Sequence, residues 1–276
     1  MSQTIPPRDA HVVMYRVRMA YGRREVFKDL SCTFPRGKIS VILGGSGSGK
    51  STILRLIGGL VRPLSGRILV EGDDVTRLGE RGLFAVRRKI GMMFQHGALL
   101  DSLSVFDNVA FPLREHSDFG EAEITEEVHD RLAAVGLKDV DDLLPGQLSG
   151  GMMKRVALAR ALMHNPVIVL ADEAFSGLDP VSIKLIEALL VRINKQYGMT
   201  MILVSHHIPS TMRMADQIVL VLPQYVVQGS PQELANSGDE RVTRFLNENV
   251  DDTTSILDNV AAFEAEVAPG RDIGSH

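Results

Sequence analysis

The stretch Gly44-Gly45-Ser46-Gly47-Ser48-Gly49-Lys50-Ser51-Thr52 decides how this chain is read. Immediately before it, Ile39-Ser40-Val41-Ile42-Leu43 is short, β-branched and apolar, the pattern of a buried strand. After it, Ile53-Leu54-Arg55-Leu56-Ile57 continues as a helix as far as Gly58-Gly59. Strand, glycine-rich turn and helix are the context in which such a stretch cradles phosphate, as a P-loop. The backbone curls so that successive N–H groups face inward, and the helix N-terminus adds a partial positive charge. Lys50 is expected to reach the β- and γ-phosphates of a nucleotide, and the Ser51 hydroxyl to coordinate Mg²⁺.

Composition narrows the function classes. The chain has 276 residues, with 30 basic and 34 acidic side chains and a formal charge of −4. Nothing supplies the broad basic face that a dedicated nucleic-acid binder needs. This length suits one large domain or two intimate lobes with ample core. The single cysteine, Cys32, excludes an internal disulfide, fits a reducing compartment and reads as a buried structural thiol. Met1 to Asp9 carries no apolar signal-peptide core, and the longest apolar runs, Val167–Ala171 and Ile218–Leu222, are far too short to span a bilayer. The expectation is a soluble protein, or one attached to a membrane only through a partner.

Outward from the loop toward the N-terminus, Val12–Ala20 and Val26–Phe34 read as strands joined by a turn at Gly22-Arg23-Arg24. Tyr21, at the end of the first, is open to two readings: an aromatic that stacks on a purine ring, or a plain strand-end tyrosine. Toward the C-terminus, Arg67–Val70 reads as a strand, Ala85–Lys89 as a basic, solvated helical face, and Ile90–Phe94 as a strand ending at Gln95. There the character changes. Ser104 caps a helix over Val105–Phe111 that Pro112 stops, Glu121–Val135 is a charged, periodic helix capped by Gly136, and Asp139–Leu144 reads as a further short helical turn. This all-helical block, about 96–165, interrupts the strand–helix alternation as an inserted lobe.

Leu148-Ser149-Gly150-Gly151-Met152 then precedes a helical run over Met153–Met163, and Val167-Ile168-Val169-Leu170-Ala171-Asp172-Glu173 is an apolar strand that ends in two carboxylates. A strand delivering an acid beside a P-loop is the arrangement that holds Mg²⁺: Asp172 suits the metal's outer shell, and Glu173 suits a base for an attacking water. Ser176-Gly177-Leu178-Asp179-Pro180 makes a tight turn with Pro180 starting a helix to Tyr197, and the strand Met201–Val204 ends at Ser205-His206.

These residues together resemble the ATP-binding cassette (ABC) family, over nearly the whole chain up to about residue 248. The motifs that carry it are the P-loop, Gln95 as the Q-loop glutamine, Leu148–Met152 as the signature, Asp172-Glu173, Ser176–Asp179 as the D-loop, and His206. The resemblance implies an α/β fold with a P-loop NTPase (RecA-like) core, an antiparallel β subdomain and an inserted helical signature subdomain. It implies ATP and Mg²⁺ as cofactors. Glu173, His206, Lys50 and Gln95 are then the catalytic set. Tyr21, Gly44, Gly45, Ser46, Gly47, Ser48, Gly49, Lys50, Ser51, Thr52, Ser149, Gly150, Gly151 and Asp179 are the nucleotide-binding residues, and Ser51, Gln95 and Asp172 the metal site. It also implies ATP sites shared between two copies, each P-loop facing the other copy's signature, whose helix N-terminus would meet the γ-phosphate. Three positions depart from the family pattern: Met152 stands for the usual glutamine, Ala174 for a proline, and His207 for an aspartate.

The segment from Phe94 to His116, with Met152, is similar to the ATPase subunits of bacterial Mla-type phospholipid transporters. That resemblance implies a peripheral protein on the cytoplasmic face of a Gram-negative inner membrane. Its implied partners are transmembrane permease subunits, a periplasmic lipid-binding subunit and a small cytoplasmic accessory protein. Ala98–Leu103 either faces the permease or packs inside the helical lobe. The acidic extension 249–276 places Ile256, Val260, Phe263 and Val267 at helical spacing; it is open to reading as a solvated tail or as an amphipathic docking helix. Two alternative functions remain: an ABC transporter ATPase for another solute, or a soluble ABC ATPase acting on ribosomes or DNA. The second lacks its usual tandem cassette, coiled coil or basic face.

Overall fold

In the computed structural model, which describes residues 9–95, 97–223 and 225–248, the chain runs in this order. Strands β1 (Ala10–Tyr21), β2 (Arg24–Pro35) and β3 (Ile39–Gly44) lead into helix α1 (Lys50–Ile57). Strands β4 (Ser65–Val70) and β5 (Asp73–Asp74), helix α2 (Glu80–Arg87) and strand β6 (Ile90–Met93) follow. Next come helices α3 (Val105–His116) and α4 (Glu121–Ala134), a 3₁₀ turn at Pro145–Gln147 and α5 (Gly150–Leu162). The chain returns through β7 (Ile168–Asp172), α6 (Pro180–Tyr197), β8 (Thr200–Val204), α7 (Ile208–Met214), β9 (Gln217–Leu222), β10 (Tyr225–Gly229), α8 (Pro231–Ala235) and α9 (Glu240–Glu248).

Two sheets result. The antiparallel sheet has the order β2-β1-β4-β5, and the larger sheet β10-β9-β3-β8-β7-β6 is parallel except at its β9–β10 edge. Alternation along the parallel strands explains why they are apolar on both faces. Val41, Leu43, Val169, Ala171, Met201 and Leu203 point into a core shared with the helical block and α6. Ile42, Ile168, Leu170, Ile202 and Val204 point into a second core with α1 and the antiparallel sheet. In this sheet order β3, β8, β7 and β6 are consecutive neighbours, so the loops leaving their C-terminal ends converge on one edge, where open α/β sheets place ligands.

Four expectations are corrected. Pro112 does not stop its helix: α3 continues through it to His116. A mid-helix proline costs about 3 kcal/mol or more, and burial of Val105, Val109, Ala110 and Leu113 on either side of it favours continuation. Asp139–Leu144 is not helical; Asp139 takes a left-handed φ of 54°, and the next helical geometry is the 3₁₀ turn at Pro145–Gln147. The signature helix begins at Gly150 rather than Met153, because Ser149 caps it by accepting the Met152 N–H at 3.2 Å. The strand expected over Ile90–Phe94 ends one residue earlier, and the proposed amphipathic helix of 249–276 lies outside the described residues. Among the described residues no helix is long and apolar enough to cross a membrane.

Candidate functional site: a phosphate cradle at the sheet edge

Strand β3 is completely buried, which fixes the start of the loop, and Gly49 caps α1 with a φ of 99°. A side chain at Gly49 would meet the Phe27 ring at 2.5 Å, and one at Gly44 would strike the Val221 carbonyl. These contacts, with positive φ at both, leave glycine as the residue that fits. Inside the loop the Ser48 hydroxyl is buried with no hydrogen-bond partner. Such an orphan beside inward-facing amides suits a phosphate oxygen.

Lys50 is buried, and its ammonium donates to the Gly44 and Gly45 carbonyls at 2.9 and 3.0 Å. Burial lowers its pKa, while the Glu173 and Asp172 charges oppose that shift. The Ser51 hydroxyl donates to Asp172 Oδ1 at 3.0 Å, which joins the first turn of α1 to the end of β7. With Gln95, at the end of β6, these are hard oxygen donors on one side of the cradle, a set that fits Mg²⁺ completed by phosphate and water oxygens.

Glu173 follows β7 in an uncommon conformation, φ 55°, a strain of about 1–3 kcal/mol for a non-glycine residue. Its backbone is held from both sides: its N–H donates to the Val204 carbonyl at 3.0 Å, and its carbonyl accepts from Ser176 N–H at 3.2 Å and Ser176 Oγ at 3.0 Å. The turn throws the carboxylate toward β8, where Oε1 lies 2.7 Å from His206 Nε2. Burial pushes the Glu173 carboxyl up to about 7, the Lys50 and Lys154 charges pulling against it and Asp172 adding to it. Burial and then the Lys50 charge lower the His206 pKa. A carboxylate poised near neutrality suits a general base.

A cavity of about 400 Å³ is lined by Tyr21, Ser46, Gly47, Gly49, Lys50, Ser51, Thr52, Gln95, Glu173 and His206. The structure thus brings together most of the residues singled out in the sequence. Tyr21 stands half-exposed at its rim, placed for stacking. Arg24 and Val26, read in the sequence as a turn residue and an ordinary strand residue, also line it. Their signal would have been the pairing of Tyr21 with Arg24 across β1 and β2. Ser149, Gly150, Gly151 and Asp179 do not line this cavity. Gly150 and Gly151 pack beside Leu178 and Ser182, and the Asp179 carboxylate caps α6 by accepting the Val181 and Ser182 N–H groups at 3.0 Å each. The signature and D-loop therefore form one continuous surface outside their own chain's cradle.

The ABC transporter family model matches residues 27–176. The chain belongs to the ABC transporter family. As an ABC cassette it is 43% identical over 226 residues to the intermembrane phospholipid transport system ATP-binding protein MlaF of Haemophilus influenzae, covering 82% of this chain and 86% of that one. It is 39% identical over 260 residues to MlaF of Escherichia coli K12, covering 94% and 97%. Among solved structures it resembles the dimeric post-hydrolysis state of the ATP-binding cassette MJ0796 bound to ADP and phosphate, with a TM-score of 0.74, 31% identity, and coverage of 80% of this chain and 98% of that one.

If Glu173 is the base for an attacking water, hydrolysis carries a pH signature. Only the ionised Glu173 carboxylate accepts a proton, so phosphate release at saturating ATP is expected to fall as the pH drops through about 7. A rate profile measured from about pH 8 to about pH 5.5 checks this, and the acid limb should vanish from the residual activity of Glu173→Gln.

Proposed function

We propose that this chain is the ATP-hydrolysing subunit of a phospholipid transporter working between the inner and outer membranes of a Gram-negative envelope. The observation that carries the reading is its likeness to MlaF proteins along almost the full length of both chains. The catalytic site gives the same chain the parts to hydrolyse ATP. Lys50 and the loop amides would bind the phosphates, Ser51, Gln95 and Asp172 would hold Mg²⁺, Glu173 would activate water, and His206, 2.7 Å from Glu173, would face the γ-phosphate.

Two copies share each site in this reading. The free N-terminal amides of α5 at Gly150 and Gly151, beside the Ser149 hydroxyl, would meet the γ-phosphate on the partner's P-loop. Ser149 uses its oxygen to accept from Met152, which leaves its O–H free to donate to phosphate. Asp179 would meet the partner across the same surface.

The permease is assigned to the half-exposed Phe94, Leu100 and Phe111, an apolar surface around the Q-loop side of the helical block. Leu99 from the same segment packs on the core, as the second reading of Ala98–Leu103 expects, and the exposed Leu100 is left for the permease in this proposal. The protein then sits peripherally on the cytoplasmic face of the inner membrane. A periplasmic lipid-binding subunit and a small cytoplasmic accessory protein complete the assembly. The test is to purify the chain with its membrane subunits, analyse the lipid carried, and follow transfer of labelled phospholipid. ATP-dependent phospholipid transfer is expected; a complex that carries no phospholipid and moves a polar solute instead would overturn the assignment.

A further inference from the structure

Lys154 lies on α5, outside the catalytic set, and is buried with only 6% of its surface exposed. A buried ammonium needs partners for its three N–H donors, and this one has three, from two loops. It donates to the Gln95 carbonyl after β6, to the Glu173 carbonyl after β7 at 2.8 Å, and to Ser176 Oγ in the D-loop at 3.2 Å. Ser176 in turn donates its hydroxyl to the same Glu173 carbonyl at 3.0 Å, which closes a small ring of hydrogen bonds behind the strained turn.

A second cation on the same helix points the same way. Arg160 donates to the Gly97 and Ala98 carbonyls at 2.6 and 2.7 Å. Helix α5 therefore holds the segment that begins at Gln95 at two places, and the Glu173 turn at one. Its N-terminus is the Ser149-Gly150-Gly151 end, about 7–8 Å from Lys154 along the axis at 1.5 Å per residue.

We propose that Lys154 is a positioning residue that sets the Glu173 turn and the Gln95 loop of its own nucleotide site from the signature helix. This rests on the reading in which that helix's N-terminus serves the other copy's nucleotide. A shift of α5 on meeting that nucleotide is then delivered, through one ammonium, to the base and to a metal-binding loop of its own site. Lys154 touches no substrate. Its effect is on where the Glu173 carboxylate stands, and a misplacement of about 1 Å can change a rate about a hundredfold.

The test uses the complete transporter complex. Lys154→Met keeps the chain length and removes all donors; Lys154→Gln keeps N–H donors without charge. Expected for Lys154→Met is a fall in phosphate release of about ten- to a hundredfold, with the ATP dissociation constant within about twofold of the parent. Lys154→Gln should recover most of the loss, remaining about two- to fivefold below the parent, because neutral hydrogen bonds are about half as strong as charge-assisted ones. Ser176→Ala should slow the parent but add little on the Lys154→Met background, since both act on one ring. Parent-like turnover in Lys154→Met overturns the proposal, as does a loss of ATP binding in step with turnover or a fully additive Ser176→Ala effect. Should Lys154→Met not assemble, Lys154→Gln decides alone: reduced turnover with unchanged ATP affinity supports the role, and parent-like turnover ends it. Lys50→Ala, run alongside, separates the two levels. If it abolishes turnover while Lys154 variants are inert, only this proposal fails. If it leaves turnover intact, the reading of the site falls, and this proposal with it.

Discussion

Lys50→Ala is expected to reduce ATP turnover by the assembled complex at least about a hundredfold, the scale on which a preorganised charge at a reacting oxyanion acts. Among the described residues that line the cavity, Lys50 is the buried cation, and its ammonium is already held by the Gly44 and Gly45 carbonyls. A bound nucleotide exchanges those carbonyls for phosphate oxygens, so little side-chain entropy remains to be lost. Alanine removes the charge and leaves the loop, whose shape depends on Gly44 and Gly49, in place. The variant should therefore fold and assemble normally while losing turnover, which phosphate release and a thermal melt on one preparation will show. Undiminished turnover would remove this loop from the chemistry.

Glu173→Gln should be the second large effect, with hydrolysis slowed about a hundred- to ten-thousandfold. Glutamine keeps the size and hydrogen-bonding capacity, but it has no basicity. Because Glu173 is held mainly through its backbone, by Val204, Ser176 and Lys154, the substitution should not disturb the turn. ATP should still bind, with Ser51 and Asp172 retaining the cation, and should persist unhydrolysed. His206→Ala should also impair turnover, through loss of the imidazole that stands 2.7 Å from Glu173 in the cavity. Loss of ATP binding in Glu173→Gln would move Glu173 into the metal or structural set and return the water-activating role to another group.

Much of the site was readable in the chain because its parts are local. A buried strand, a glycine turn and a helix start are adjacent in sequence, and the Asp172-Glu173 pair ends an unbroken apolar run. The sheet order then brings the ends of β3, β8, β7 and β6 together. What escaped is non-local or overrides a local rule. Pro112 reads as a stop because it lacks an N–H, yet burial of Val109 and Leu113 beside it decides the helix. The helix is expected from Met153, but first-turn N–H groups have no intrahelical acceptor to lose, and the Ser149 cap starts it at Gly150. Lys154 lies within the helical run and carries no motif of its own. Its burial depends on acceptors 59, 19 and 22 residues away, which no sequence window contains. The strain at Glu173 is likewise invisible until the contacts that hold it are seen.

The central claim is that this chain supplies two separated halves of a shared site, the Lys50 cradle and the Ser149 end of α5. The direct measurement is phosphate release by mixed complexes that hold Lys50→Ala in one copy and Ser149→Arg in the other, against complexes in which both copies carry the same substitution. If the sites are shared, both lesions fall in one site of the mixed complex and the other is intact, so it should hydrolyse ATP clearly faster than either matched complex. If each chain forms a complete site alone, both sites of the mixed complex are broken, and a rate no higher than that of the matched complexes would contradict the account.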